Sequence, residues 1–256
     1  MADVELSLEC SMARVHLNRP GARNALTPEM DVLLSGMWHE INGNPDIWTV
    51  LLTAEGEEAF CIGADLSEPR ERTARLAIGG GLTGIGGPLL RLKKPMVAAV
   101  QGFCVGAGFE LAMCADIIVA ADTAQFGLPE TKHGIIGECG VVHRAVRQLP
   151  HHIAMAMILT GERIGAKTAE QFGFINEVVT PDRLLAAALA WVSKINKASP
   201  LANQAAKAAV VGGLAMSLEA ALRTRFEEIE SYASSADAGE REAALDEGRR
   251  PIWTGR

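Results

Sequence analysis

The stretch KPMVAAVQGFCVGAGFELAMCADIIVAAD, residues 94–122, decides how the rest of the chain is arranged. Its pattern predicts an apolar strand at 95–101, a glycine-bearing turn at 102–108, one or two helical turns around Glu110, and a second apolar strand at 116–121. Because both strands are predicted to be buried, Glu110 lies in the most apolar part of the sequence. Such surroundings disfavour an unpaired charge and can set up a general acid or base. The alternative is a structural glutamate held by an arginine or by backbone donors.

Three further features favour a catalytic role for Glu110. Small residues at 106–108 open its helix and leave backbone amides accessible to a ligand oxygen. A second turn, FCIGADL at 60–66, follows the apolar run 47–52 and aims another amide at the same point. Two such donors form an oxyanion hole. Glu130 follows after enough chain for a strand and a return loop, so it supplies a second carboxylate.

Composition narrows the class of protein. The chain has 256 residues, of which 48% are hydrophobic, and this is enough for one globular domain with a full core. Its net charge of −7 and the lack of long Lys/Arg runs argue against a nucleic-acid surface. The opening MADVELSLEC does not resemble a signal peptide, and no segment approaches ~18 uninterrupted apolar residues. We therefore expect a cytoplasmic protein. Its five cysteines form no CxxC pair, which favours reduced core thiols over disulfides or a zinc site.

The order of predicted elements indicates an α/β fold. Strands are expected at 4–8, 12–17 and 47–53, and a helix begins with Thr27 as N-cap and Pro28 at its first position and ends at Gly43. The last third is helical, with starts predicted at Thr180, Pro200 and Ser217, the last helix running through Ile229. The segment GGGLTGIGG at 79–87 fits GxGxxG, but the acidic residue that a nucleotide site needs about 20 residues on is missing. We interpret it as a loop beside the substrate pocket.

Several motifs together resemble the enoyl-CoA hydratase (crotonase) superfamily. They occur in family order from end to end of the chain: NRP at 18–20 with NAL at 24–26, FCIGADL at 60–66, GFCVGAGFELAMCADIIVAAD at 102–122, FGLPE at 126–130, TGERIGAKTAEQFGFINEVV at 160–179, and EGRRPIWTGR at 247–256. The resemblance implies a crotonase-like spiral of ββα repeats over residues 1–197. It also implies a C-terminal helical trimerisation region over 198–256, giving a homotrimer or a dimer of trimers.

The resemblance also assigns roles within the site. It implies that the backbone amides of Ala64 and Ala107 form the oxyanion hole and that Glu110 and Glu130 hold a water molecule. Glu110 is expected to help activate the water and Glu130 to exchange the proton at Cα of a 2-enoyl-CoA. No metal or redox cofactor is implied, because coenzyme A is part of the substrate. Substrate contacts are expected from Ala22, Arg23, Ala25, Ile62, Gly63, Asp65, Leu66 and Glu138.

Two positions depart from the hydratase pattern. Ala107 stands where hydratases usually have glycine, a small change because the backbone amide does the work. Glu138 also replaces glycine, and dienoyl-CoA isomerases and carnitinyl-CoA dehydratases resemble this chain in having an acid there. Glu138 either moves a proton along the acyl chain, contacts a polar or cationic acyl group, or is a surface residue at a helix N-terminus. An isomerase or a carnitinyl-CoA dehydratase is therefore the alternative to a hydratase.

A non-catalytic or RNA-binding relative fits less well, because the lysine-rich helix of RNA-binding members is not visible in this acidic chain. Simple enoyl-CoA isomerases usually lack an acid at the Glu110 position, so two carboxylates favour hydration. The phosphates of coenzyme A need cations, and the candidates are Arg23 and, in the tail, Arg249 or Arg250.

Overall fold

The computed structural model describes residues 2–67, 90–137 and 140–256. The predicted loop at 79–87 and Glu138 lie outside these residues. No helix within the described ranges is long and apolar enough to cross a membrane.

Among the residues that the structure describes, ten strands form two sheets. Consecutive strands alternate between the sheets from the third strand to the eighth, so the chain winds as a spiral between them. The larger sheet has the order β1-β2-β3-β5-β7-β10 and is parallel except for the β1-β2 hairpin. The smaller has the order β4-β6-β8-β9, with β8 and β9 antiparallel. The strands are β1 (Val4–Glu9), β2 (Met12–Leu17), β3 (Thr49–Ala54), β4 (Ala59–Cys61), β5 (Met96–Val100), β6 (Phe103–Val105), β7 (Ile117–Ala121), β8 (Gln125–Gly127), β9 (Arg163–Gly165) and β10 (Glu177–Val179).

Ten α-helices within the described ranges connect and cover these sheets. They are α1 (Pro28–Gly43), α2 (Ala107–Met113), α3 (Val141–Gln148), α4 (His151–Thr160), α5 (Ala166–Gln171), α6 (Leu184–Ile195), α7 (Pro200–Gly213), α8 (Leu218–Arg223), α9 (Glu227–Ala233) and α10 (Ala236–Asp246). Short 3-10 segments lie at Pro20–Ala22, Glu130–His133 and Pro181–Arg183. The result is the mixed α/β spiral that the crotonase resemblance implied, followed by a helical C-terminal region.

Local sequence signals explain where several helices begin. The side chain of Thr27 accepts a hydrogen bond from the Met30 amide at 3.2 Å, and Pro28 occupies the first turn. Ser199 caps α7 in the same way, and Ser217 caps α8. The predicted starts at Thr27, Pro200 and Ser217 are therefore confirmed.

Three predicted elements differ from the structure. The helix predicted to start at Thr180 is preceded by a 3-10 segment, Pro181–Arg183, in which the Thr180 side chain makes no capping hydrogen bond, and α6 begins at Leu184. The helix expected from Ser217 through Ile229 is broken after Arg223, and α9 starts anew at Glu227. The reason is a tertiary contact: a Cβ atom placed on Gly212 of α7 would lie 2.6 Å from Cε1 of Phe226, so this ring packs on α7 in an extended backbone position. The glycine-bearing turn at 102–108 contains β6, because Phe103–Val105 pairs with the strands on both sides of it.

The main core contains residues from both sheets, and a second, separate apolar cluster lies between the larger sheet and α6. Three aromatic rings, those of Phe109, Phe126 and Phe174, pack with centroids 5.2 to 5.7 Å apart. They tie α2 to β8 and to the chain after α5 through large buried surfaces. Because Phe109 is the neighbour of Glu110, this cluster fixes the helix that carries the predicted catalytic carboxylate.

Candidate active site

Glu110 is fully buried on α2, which packs against β4 and β6 of the smaller sheet and against α3. Gly106 precedes this helix with a positive φ of 56°, a conformation that glycine adopts without strain. Gly108 allows α2 to pack closely on β4, because a Cβ atom there would lie 2.4 Å from the carbonyl oxygen of Cys61. Gly106 therefore allows the backbone conformation at the start of α2, and Gly108 allows α2 to approach β4 closely.

The predicted oxyanion amides come from these two packed segments. Leu26 forms a parallel bridge with Ala64 in which the Leu26 amide donates to the Gly63 carbonyl at 2.8 Å and the Asp65 amide donates to the Leu26 carbonyl at 2.9 Å. In this pattern the amide of Ala64 itself points away from Leu26. On that opposite side lies α2, and a Cβ atom on Gly63 would be 3.2 Å from the amide nitrogen of Ala107.

The amides of Ala64 and Ala107 are thus neighbours on facing segments. Within the ranges that the structure describes, neither amide donates a hydrogen bond to the protein. Ala107 is the first residue of its helix, where amides have no intrahelical acceptor. Two neighbouring amides with this freedom are available to a ligand oxygen, which is what the predicted oxyanion hole requires.

Glu130 begins the 3-10 segment after β8 and faces the same region. A Cβ atom on Gly106 would lie 3.3 Å from Glu130 Oε1, so the carboxylate borders the turn between β6 and α2. It also lines a cavity whose other walls are largely aliphatic, including Leu128, Ile136 and Val141. Burial in these surroundings raises the pKa of Glu130, and a backbone hydrogen bond and nearby His133 oppose this with smaller effects.

Glu110 has a different electrostatic partner. Nη1 of Arg144, on α3, lies 2.5 Å from Glu110 Oε1, and the side chain of Arg144 is only 15% exposed. The arginine partner expected in the structural alternative is therefore present. It does not exclude catalysis, since a carboxylate has acceptor sites on both of its oxygens. The two carboxylates accordingly differ: Glu110 has a guanidinium beside it, whereas Glu130 has a mainly apolar wall.

Apart from Glu138, the predicted substrate-contact residues lie on two adjacent segments, which we call the rim of the candidate site. Residues 22–26 run beside 62–66, joined by the Leu26 bridge and by the Ile62 amide, which donates to the Arg23 carbonyl at 3.3 Å. Ala22, Ala25, Ile62, Gly63, Asp65 and Leu66 are thereby brought together. The carboxylate of Asp65 is 2.7 Å from Nη1 of Arg19, and hydrogen bonds from Ser67 and then from Arg19 lower the pKa of Asp65 to about 2.

The three arginines considered for phosphate binding differ in their contacts. Arg23 is 53% exposed and pairs with Glu58 at 2.6 Å, near the rim. Arg249 is paired with Glu240 and with Glu247 inside the C-terminal region. The carboxylate partners reduce the charge that Arg23 and Arg249 offer to a phosphate. No ion pair is recorded for Arg250 within the described chain.

Two important residues escaped the sequence reasoning. Asn24 is fully buried and holds the rim, because its side-chain amide donates to the carbonyls of Glu55 and Ala59, both at 2.9 Å. Its place in the motif NAL was the available signal. Arg144 had no sequence signal, since its contact depends on how α3 packs against α2. Glu138 lies outside the described residues, and no group of metal-ligating side chains suited to an ion occurs within them.

Comparisons with known proteins agree with this architecture. A family model described as enoyl-CoA hydratase/isomerase matches residues 8–256. A crystal structure of a candidate short chain enoyl-CoA hydratase from Novosphingobium aromaticivorans is 65% identical, covers 100% of both chains and superposes with a TM-score of 0.92.

Two curated relatives are also similar over most of their length. The (E)-benzylidenesuccinyl-CoA hydratase of Thauera aromatica is 37% identical over 84% of this chain and 85% of the relative. The carnitinyl-CoA dehydratase of Escherichia coli is 36% identical over 99% of this chain and 98% of the relative. With a matching family model, matching relatives and the same fold, the chain belongs to the enoyl-CoA hydratase/isomerase family.

Proposed function

We propose that this chain is an enoyl-CoA hydratase that adds water reversibly to the double bond of a 2-enoyl-CoA thioester. The observation that carries the proposal is the pair of buried or half-buried carboxylates, Glu110 and Glu130, beside the adjacent amides of Ala64 and Ala107. The relatives named as hydratases support it. Coenzyme A enters as part of the substrate, and the reaction requires no further cofactor.

The proposed mechanism divides the chemistry among these four groups. The thioester oxygen accepts hydrogen bonds from the two amides, which stabilise the negative charge that develops on it. Glu110, as a carboxylate, removes a proton from water while the water oxygen bonds to Cβ and the electrons of the double bond move to the thioester oxygen. Glu130, in its neutral form, then gives its proton to Cα of the enolate. The raised pKa of Glu130 suits this acid role.

A dehydratase acting on a carnitinyl-type thioester or an isomerase is the second candidate, supported by the carnitinyl-CoA dehydratase relative. Both would use the same oxyanion amides. Two carboxylates favour hydration over a simple double-bond shift, since one group activates water and the other protonates carbon. The role of Glu138 stays a prediction within this alternative.

Binding of coenzyme A is proposed to use the rim formed by residues 22–26 and 62–66. Arg23 is its exposed cation, and binding a phosphate there requires the guanidinium to exchange Glu58 for the ligand. Asp65 forms an ion pair with Arg19, and this contact keeps the segment 62–66 of the rim in place.

The test is loss of the enoyl thioester absorbance when crotonyl-CoA is added, with a dienoyl-CoA assayed in parallel to detect isomerisation. Glu110→Gln and Glu130→Gln should each lower kcat by about 10²- to 10⁴-fold with a much smaller change in KM, because each removes a transition-state role. Glu162→Gln, an exposed glutamate outside the site, is the matched control. Near-normal turnover in either site variant contradicts the assignment.

A further inference from the structure

Arg144 and Gln148 of α3 each make a polar contact with α2 from the same side of α3. Arg144 contacts the carboxylate of Glu110, and one turn later Gln148 donates from Nε2 to the Met113 carbonyl at 2.9 Å. The Gln148 contact involves only backbone on the α2 side and suffices to dock the C-terminal end of the helix. The Arg144 contact instead ends on the carboxylate that the proposed mechanism uses as a base.

The location of the pair makes the contact strong. Glu110 is fully buried and Arg144 is 15% exposed, so water screens the interaction less than at an exposed ion pair. An ionised carboxylate in such a place needs a compensating charge or hydrogen bonds to persist. A guanidinium is always protonated at physiological pH and offers several N–H donors with a fixed geometry. It therefore both neutralises and orients the group it contacts.

We propose that Arg144 is a positioning residue that keeps the Glu110 carboxylate ionised and oriented toward the water it deprotonates. The inference rests on the proposed function. It gives a physical reason for the different roles of the two glutamates: the one beside a guanidinium acts as the base, and the one in an aliphatic cavity carries the proton. Arg144 touches neither water nor substrate in this role and acts through Glu110.

The pH dependence follows from the sign of this interaction. A nearby positive charge favours the charged form of a carboxyl group, so removing Arg144 lets Glu110 take up a proton at higher pH. Other titratable groups in this region of the described chain are Glu130 on the 3-10 segment, the Cys114 thiol just after α2, and the Lys207–Asp116 pair, whose charges also act on Cys114. Burial raises the pKa of Cys114 to about 12, so this thiol does not titrate in the working range. The proposed mechanism uses Glu130 in its neutral form, so ionisation of Glu130 lowers the rate at high pH. The decline of the rate at low pH, the acidic limb of the pH–rate profile, therefore reports on protonation of Glu110.

The main experiment combines Arg144→Met with Glu110→Gln in the full-length chain. Arg144→Met should lower kcat for crotonyl-CoA about 10- to 100-fold, with a smaller change in KM, since misplacing a catalytic group costs up to about 10²-fold. The acidic limb of kcat should move up by about 1 to 3 pH units. In a Glu110→Gln background the same substitution should change kcat by less than about threefold, because the group it acts through is gone.

Two matched controls separate positioning from docking of α3. Gln148→Ala removes the hydrogen bond from Gln148 to the Met113 carbonyl, which joins α3 to α2. Arg147→Met removes an exposed guanidinium about one turn from Arg144, which donates to the His143 carbonyl. Both should keep the acidic limb of the wild type. The proposal is overturned if Arg144→Met leaves the acidic limb of the kcat–pH profile unshifted, or if it lowers kcat equally in the wild-type and Glu110→Gln backgrounds. It is also overturned if Gln148→Ala shifts the acidic limb by the same amount as Arg144→Met.

A second variant, Arg144→Lys, tests the proposal if Arg144→Met does not fold, and thermal unfolding tests it if the wild type shows no turnover. Arg144→Lys keeps the charge and loses the guanidinium geometry, so we expect kcat about tenfold lower with a limb shift of less than about 0.5 pH unit. Wild-type kcat in this variant overturns the orienting role. If the wild type hydrates no enoyl-CoA, the proposed function fails by itself. The pair is then tested by thermal unfolding: Arg144→Met should lower Tm and the double variant Arg144→Met/Glu110→Gln should recover it, whereas no recovery contradicts the pairing.

Discussion

Glu130, the proposed acid of the reaction, occupies a position that lowers the stability of the fold when its carboxyl group is ionised. Its carboxyl group lies among Leu128, Ile136 and other aliphatic walls, and burial raises its pKa above the ordinary value of 4.5. A group whose folded pKa is raised holds its proton longer in the folded chain than in the unfolded chain. As pH rises from about 4.5 through the raised pKa, the folded state loses stability relative to the unfolded state, and the loss is constant above that range.

Glu130→Gln should therefore stabilise the fold at neutral and alkaline pH while it lowers turnover. The amide has no charge to desolvate, so its advantage over glutamate should be near zero at pH 4 and grow with pH. We expect a rise in Tm of about 2 to 4 °C at pH 8, measured by calorimetry from pH 4 to pH 8. The exposed Glu162→Gln should show no such trend. A Tm difference that does not change with pH contradicts the burial argument.

Sequence reasoning could find Glu110 and Glu130 at the residue scale because each stands in an apolar run at a fixed place in a motif. The rim residues at 22–26 and 62–66 followed from the same motifs. Arg144 could not be found in this way, since a salt bridge between α2 and α3 depends on the crossing of two helices far apart in sequence. The pairing of Arg23 with Glu58 was missed because it depends on how two non-helical segments, far apart in sequence, meet in the fold.

At the scale of elements, the site depends on how closely α2 approaches β4. Gly108 is the contact point, because a Cβ atom there would lie 2.4 Å from the Cys61 carbonyl oxygen and 2.6 Å from the Cys61 Cβ. These are distances that real Cβ atoms do not tolerate, so one element must move. The two segments carry the amides of Ala107 and Ala64, and any movement separates them.

Gly108→Ala should consequently lower both stability and activity. Overpacking of a tight core typically costs about 1 to 3 kcal/mol, and a shift of about 1 Å between the oxyanion amides is expected to lower kcat by about 10²-fold. Gly36→Ala is the matched control, because Gly36 lies on the exposed side of α1 with no atom within 4 Å of a new Cβ. That substitution should stabilise the chain by about 0.5 to 1 kcal/mol. Urea unfolding and crotonyl-CoA turnover measure both effects, and equal outcomes for the two variants contradict this account.

Element boundaries were predictable where local chemistry decides them and failed where packing does. Thr27, Pro28 and Ser199 set helix starts through capping and a fixed proline φ, so the sequence sufficed. The break between α8 and α9 depends on Phe226 packing against Gly212, a contact between helices that periodicity alone does not reveal. The regular spacing of apolar residues across this break predicted one continuous helix instead.

At the scale of the whole molecule, the C-terminal helices expose an apolar surface. Leu214, just after α7, and Leu218 and Leu222 on α8 are 74%, 76% and 78% exposed, and Val210 on α7, which packs against α8, is 64% exposed. A cluster of large exposed apolar side chains on one helical pair marks an interaction surface more often than a solvated one. We propose that residues 198–256 form the subunit contact of a homotrimer, as the family resemblance implied, and that residues 1–197 form the catalytic core.

Charge substitutions on this surface should break the assembly without unfolding the subunit. Leu214→Glu combined with Leu222→Glu places two carboxylates where subunits would meet, and an unpaired charge at a buried contact is costly. Light scattering after size exclusion should give a trimer or a multiple of it for the wild type and a smaller species for the variant. Val32→Glu, on α1 and 72% exposed, is the matched control and should keep the wild-type mass. A monomeric wild type, or a variant with unchanged mass, contradicts the assignment of this surface, and circular dichroism of the variant separates dissociation from unfolding.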